Sequence, residues 1–159
     1  MDHITLAKKP TIGSAQRATA AGPKSPAASE TIANRLDEIA RTYGLHLTSQ
    51  LSFRVADLSL ISDAMARVRS MPPSVLAGEA VSARDLASGS AELPPTDGML
   101  FEGGSVRVVV RPSGTEPKLK CYLQVKLPVD ASQDLDAARA RAAEVMAAAR
   151  QDMAAALGL

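Results

Sequence analysis

The amino-acid sequence predicts an α+β domain: a four- to five-stranded antiparallel sheet with helices packed on one face. Three observations carry that reading. Helical and strand periods follow one another in the order α-β-α-β-β-β-β-α, so most strands come in an unbroken run and not in alternation with helices. The run from 119 to 127 alternates without a fault, with Leu119, Cys121, Leu123, Val125 and Leu127 on one side. The C-terminal stretch holds 12 of the 29 alanines between positions 131 and 159, which favours a helix able to lie close against a sheet.

Taken in order, Ile32, Leu36, Ile39 and Tyr43 recur at helical spacing, and Gly44 is placed to cap the C-terminal end. From 47 to 55 the apolar residues Leu47, Leu51, Phe53 and Val55 share one side, with Thr48, Gln50, Ser52 and Arg54 on the other, as in a half-buried strand. Asp57 is a suitable N-cap for a helix presenting Leu58, Ile61, Met65 and Val68, which Pro72 and Pro73 end. A short strand over 79–86 follows, then a loop rich in Ser, Gly and Pro. Residues 99–101 and 106–110 flank Glu102-Gly103-Gly104-Ser105 as a hairpin. After the 119–127 strand, Asp130 or Ser132 is expected to start the last helix, with Leu135, Ala138, Ala142, Val145, Met146, Ala149 and Met153 inward and Gly158 near its end.

Length and composition bound the function. The chain has 159 residues, 46% hydrophobic and 3% aromatic, enough for one core with few large rings. A formal net charge of +1 and the scarcity of aromatics argue against a nucleic-acid adaptor. The single Cys121 excludes an intrachain disulfide framework and a thiolate zinc site. No apolar run reaches the roughly 20 residues that span a bilayer, and none follows Lys8 and Lys9 as a secretory signal would require, so a cytoplasmic domain with no membrane partner is expected. Residues 1–29 carry Lys8, Lys9, Arg17 and Lys24 against Asp2, show no period, and are expected to be a flexible tail or gene-boundary segment. Residues 30–159 are then the folded unit, with a net charge of −2.

The chemistry concentrates in Arg111-Pro112-Ser113-Gly114-Thr115-Glu116-Pro117-Lys118, between two strands. Arg111 offers a planar fork of donors suited to phosphate oxygens. Ser113 and Thr115 offer hydroxyls, Gly114 lets the backbone turn so that N–H groups converge on an anion, and Lys118 adds a mobile positive charge. Pro112 and Pro117 stiffen the ends, which lowers the ordering cost of binding. Glu116 would repel a phosphate and is expected to point away, towards Arg111 or Lys118. No Walker motif is present. Elsewhere, His46 is expected to be a surface or hinge residue, Cys121 to be buried and inert, and Arg54 to lie on a solvated face. Asp134 and Asp136 suit a helix start and have no third carboxylate to make a magnesium site.

RPSGTEPK, with VRVVV before it and LKCYLQV after it, closely resembles the C-terminal-domain signature of the α-D-phosphohexomutases, the phosphomannomutases and phosphoglucomutases. The resemblance extends over RTYG, LTSQLSFR and the MARVRSMPP to LAG segment, about residues 30–157 in all, and the K-L-K-x-Y continuation is closer to this branch than to mutases acting on glucosamine. It implies a TATA-binding-protein-like fold and a place in a four-domain enzyme. There a phosphoserine in the first domain exchanges its phosphoryl group with the sugar, and Mg²⁺ in the second assists. The last domain holds the phosphate that is not being transferred. By that resemblance Arg111, Ser113, Gly114 and Thr115, helped by Lys118, bind the phosphate of a hexose phosphate or hexose bisphosphate. No T-A-S-H-N-P, D-G-D-x-D-R or G-E-x-S-G loop is present, so no catalytic or metal-binding residue is expected in this chain, and it should need the other three domains for turnover. The other reading is a stand-alone, non-catalytic phosphosugar-binding or regulatory module.

Overall fold

The computed structural model describes residues 31–90, 94–130 and 132–158, so the expectation for residues 1–29 lies outside the described residues. Five antiparallel strands form the main sheet in the order β1-β7-β6-β5-β4: β1 (Leu45–Arg54), β4 (Ser82–Asp85), β5 (Met99–Glu102), β6 (Val106–Pro112) and β7 (Lys118–Leu127). The chain is α+β, as expected. The period-2 pattern decides which way each strand faces, because pairing keeps opposite residues on one side. Phe53, Leu119 and Pro112 share a row, and Leu51, Cys121 and Val110 share the next but one. These rows face the core together with Phe101, Val106, Val108, Leu123 and Val125, all of them essentially inaccessible to solvent.

The helices α2 (Ser59–Ser70) and α3 (Leu135–Leu157) cover that face. From α2 come Ile61, Ala64, Met65 and Val68; from α3 come Ala142, Met146, Ala149, Met153 and Leu157. Buried alanines on α3 keep its axis near the sheet and leave methionine side chains to fill the remaining space. Cys121, in the middle of this core, has its thiol pushed up to about 12 by burial, which keeps it protonated and inert.

Local chemistry sets the helix ends, with three departures from expectation. Asp57 accepts from Ser59 N at 2.8 Å just ahead of α2, but the N-cap position is Leu58, which is exposed and does not join the inward face as expected. Gly158, at φ 71° and ψ 32°, closes α3 in the left-handed region. α3 starts later than expected, capped by Asp134, which accepts from Asp136 N at 3.0 Å. The reason is Arg41: its guanidinium takes the carbonyls of Asp130 and Gln133, each at 3.1 Å, and holds that stretch as a turn. α1 (Ile32–Tyr43) is a helix as its spacing requires, but only Ala40 is buried, against Val129, Leu135 and Ala138. Ile32 and Tyr43 are 83% and 69% exposed.

The expected single strand over 79–86 is two strands. A small hairpin, β2 (Val75–Leu76) and β3 (Glu79–Ala80), precedes β4 and turns through Ala77 and Gly78, both at positive φ. Positive φ at both central residues is the geometry of the tightest two-residue turn. The hairpin drives Leu76 fully into the core, and the amide of Ala77 donates to Asp152 of α3 at 2.8 Å. It also positions Glu79 beneath the β5–β6 turn. The Glu79 carboxylate accepts from Ser105 N (2.9 and 3.1 Å), Ser105 Oγ (2.7 Å) and Val106 N (2.8 Å).

Candidate anion-binding site

β6 and β7 stay in register as far as Pro112 opposite Leu119, so the connecting turn is only residues 113–117. Arg111 and Pro112 belong to β6 and Lys118 to β7, which shortens the expected eight-residue loop at both ends. Strand parity explains it: Pro112 lies at the strand end, where its missing N–H costs no ladder bond that a longer strand would need. Ser113 N donates to Lys118 O at 2.8 Å and Lys118 N to Glu116 O at 2.7 Å, closing the turn. Val55 N donates to Pro117 O at 3.1 Å and ties the turn to the end of β1.

What the turn leaves unused is more informative. The N–H groups of Gly114, Thr115 and Glu116 and the hydroxyls of Ser113 and Thr115 make no hydrogen bond to the described residues. Gly114 does not have a positive φ, so the turn does not depend on glycine for its backbone angles, contrary to expectation. A side chain built there would meet nothing within 4 Å. The glycine leaves the space above the turn clear.

The charged groups divide between the two sides of the turn. On the helix side a cleft is lined by Ile61, Met65, Arg69, Asp97, Ser113 and Glu116. Its one cation, Arg69, is spoken for, with Nη2 at 2.5 Å from Asp97 and Nε at 3.0 Å from Asp85. On the open side of the sheet, parity brings four cations to one end. Arg54 lies opposite Lys118, and Arg111 opposite Lys120. Glu116 folds back onto this group, as expected for Lys118 but not for Arg111: Lys118 Nζ is 2.9 Å from both carboxylate oxygens, and Arg54 Nη2 is 3.4 Å from one. The hydrogen bond and charge of Lys118 hold the Glu116 carboxyl below its ordinary value, with smaller help from Arg54 and Lys120. Arg111 has no carboxylate partner among the described residues; its Nε makes one long contact, 3.4 Å, to Pro112 O.

The expected site residues are thus drawn into three groups. Arg111 and Lys118 meet on the open side, Gly114 and Thr115 form the exposed tip, and Ser113 lies on the helix side. Arg54, placed by its strand pattern on the polar face and weighed both as a solvated residue and as a member of the site, reaches the turn through Glu116. Lys120 was not singled out for the site. Its signal was present in the sequence as the polar side of the 119–127 strand, but only the register of β6 against β7 sets it beside Arg111. Gly98, the buried neighbour of Arg111 on the other flank, supports the same arrangement: a side chain there would press on Arg111 Cβ at 3.5 Å and on Val110 O at 3.0 Å. His46, away from the turn, shares a 3.0 Å hydrogen bond with Gln124.

Asp134 and Asp136 serve the start of α3, and among the described residues no group of three His, Cys, Asp or Glu is disposed to hold a metal ion. The magnesium that the resemblance assigns to the second domain finds no fitting ligand set among the described residues. No helix of the described residues is long and apolar enough to cross a membrane.

Residues 53–148 match the family model described as "Phosphoglucomutase/phosphomannomutase, C-terminal domain". A probable phosphomannomutase of Haemophilus influenzae is 37% identical over 110 residues, which cover 67% of this chain and 22% of that protein. The chain therefore spans about a fifth of that relative's length. Among solved structures, the open form of the phosphoglucomutase parafusin from Paramecium aligns with 81% of this chain and 24% of its own, with a TM-score of 0.48 at 14% identity.

Proposed function

The chain belongs to the phosphoglucomutase/phosphomannomutase family through that family's C-terminal domain, and from this membership we propose that the turn 113–117, with Arg111 and Lys118 beside it, holds the phosphate of a hexose phosphate or hexose bisphosphate. One observation carries the reading: three backbone N–H groups and two hydroxyls stand unspent next to an arginine with no carboxylate partner among the described residues. Backbone donors converging with a guanidinium are the chemistry by which proteins hold phosphate. The task is positioning and charge neutralisation, with no proton to move.

On this reading residues 30–159 act as one phosphate-binding unit, and the remaining work belongs to the other three domains of a mutase. The 159 residues alone should not isomerise a sugar phosphate. Support for that comes from the small share of the phosphomannomutase relative that they span. An assay of the purified chain with a hexose 1-phosphate, a bisphosphate activator and Mg²⁺ should give no turnover above buffer, and product formation would overturn it.

Binding is tested by calorimetric titration with glucose 1,6-bisphosphate. We expect weak but saturable binding, because one turn supplies only part of a site that several domains enclose. Arg111→Ala should abolish the heat while leaving the circular dichroism spectrum unchanged. Equal binding by both proteins would contradict the reading.

A further inference from the structure

We propose that Arg69, through Asp97 and Gly98, is a positioning residue that holds Arg111 ready for phosphate; the proposal rests on the phosphate-binding reading above.

Arg69 lies in the last turn of α2, and its guanidinium joins two carboxylates from opposite ends of one loop. Nε is 3.0 Å from Asp85, the last residue of β4, and Nη2 is 2.5 Å from Asp97, just ahead of β5. The backbone closes the same loop: Leu86 N donates to Gly98 O at 2.9 Å and Thr96 N to Leu86 O at 3.0 Å. Asp85 also caps the turn Leu86–Ser88 by accepting from Ala87 N at 2.9 Å. One side chain of the helix layer thus fixes the path by which the chain enters β5.

Stability alone is a poor account of this cluster, because ion pairs with exposed partners contribute little. Two carboxylates on one guanidinium also leave a negative charge in excess, and Asp97 lies on the wall of the cleft that contains Ser113. Negative charge there works against an anion site. What the cluster supplies to the site is geometry.

That geometry is found at residue 98. Met99 stands opposite Val110, so Gly98 comes level with Arg111 at the end of the ladder. A side chain at Gly98 would lie 3.5 Å from Arg111 Cβ and 3.0 Å from Val110 O, so the Gly98 backbone closely walls the stem of Arg111. The 3.4 Å contact of Arg111 Nε with Pro112 O is too long to orient a guanidinium firmly. A wall beside the stem removes side-chain conformations before the ligand arrives, and less freedom is then lost on binding. Breaking the Arg69–Asp97 pair loosens the entry to β5 and, with it, Arg111.

The test is calorimetric titration of the full 159-residue chain with inorganic phosphate, on variants whose folding is checked by circular dichroism. Arg69→Met and Asp97→Ala should each weaken phosphate binding about three- to tenfold, within the coupling range of residues that share one hydrogen-bond network. Asp97→Ala is the decisive variant, because charge and position predict opposite signs. Removing a carboxylate beside the site would tighten phosphate binding by electrostatics alone, whereas losing the pin weakens it. Asp97 is 62% exposed, so its truncation opens no buried cavity. Arg84→Met, which removes an exposed cation from β4, should bind as wild type does. Tighter binding by Asp97→Ala refutes the positioning role. Wild-type affinity in both Arg69→Met and Asp97→Ala refutes it too, as does an equal loss in Arg84→Met; if Arg111→Ala still abolishes binding, the phosphate reading stands. If wild type itself binds no phosphate, the underlying reading fails.

Discussion

Strand β6 ends in two turns built on opposite principles. At its N-terminal end, residues 102–105 form a turn most of whose donors are engaged locally: Gly103 N bonds Val106 O at 2.8 Å, and the Ser105 and Val106 N–H groups both go to Glu79. At its C-terminal end, the turn 113–117 holds its shape with two backbone bonds and a tie to β1, and keeps the rest of its donors free. Both turns contain glycine, for different reasons. A side chain at Gly103 would run into the Glu79 carboxylate, whereas at Gly114 it would meet nothing. One turn uses its polar groups for stability. The other withholds them, which is the economy expected of a turn that serves a ligand.

The contrast is sharpest at the two glutamates. Glu79→Ala should cost about 2 kcal/mol, since three partly buried donors at the β5–β6 turn lose their acceptor. Glu116→Ala should cost much less, because its ion pairs with Lys118 and Arg54 are exposed to solvent. Urea denaturation of the two variants at neutral pH measures both, and equal losses would erase the distinction. The glycines come next. Gly103→Ala must displace Glu79 and should destabilise by about 1–2 kcal/mol, part of the same hydrogen-bond loss. Gly114→Ala should stay within about 0.5 kcal/mol of wild type, as surface changes do.

A smaller effect appears in pH dependence. Burial raises the Glu79 carboxyl, but the hydrogen bonds from Ser105 and Val106 outweigh it and hold the group below its ordinary 4.5. A carboxyl whose pKa is lower in the folded state contributes stability above the unfolded value and loses it as pH falls through the folded one. Wild type should therefore lose stability below about pH 4.5 more steeply than Glu79→Gln. Parallel curves would show that Glu79 is not held as an anion.

The turns also differ in how far the sequence reveals them. Alternation assigned both faces of β1 and β7 correctly, and the residue types of 111–118 single out the candidate anion site without any structure. The two glycines next to Ser105 mark a hairpin just as plainly, but its anchor does not show, because Glu79 is 26 residues upstream in a hairpin of only two-residue strands. Strands that short carry no period to detect. The pairing of Arg111 with Lys120 was hidden for another reason. Parity tells which side of a strand a residue occupies, but only the register between strands tells which residue stands opposite. In α1 the limit is different again: Ile32, Leu36, Ile39 and Tyr43 do share a face, but periodicity says nothing of whether that face has a partner, and only Ala40 beside it is buried.

The most direct test of the contrast is an amide-shift titration of the 159-residue chain with glucose 1,6-bisphosphate, following both ends of β6 in one spectrum. The account predicts saturable shifts at Gly114, Thr115 and Glu116, with Gly103, Gly104 and Ser105 unmoved. Shifts at 103–105 with none at 114–116 would contradict it.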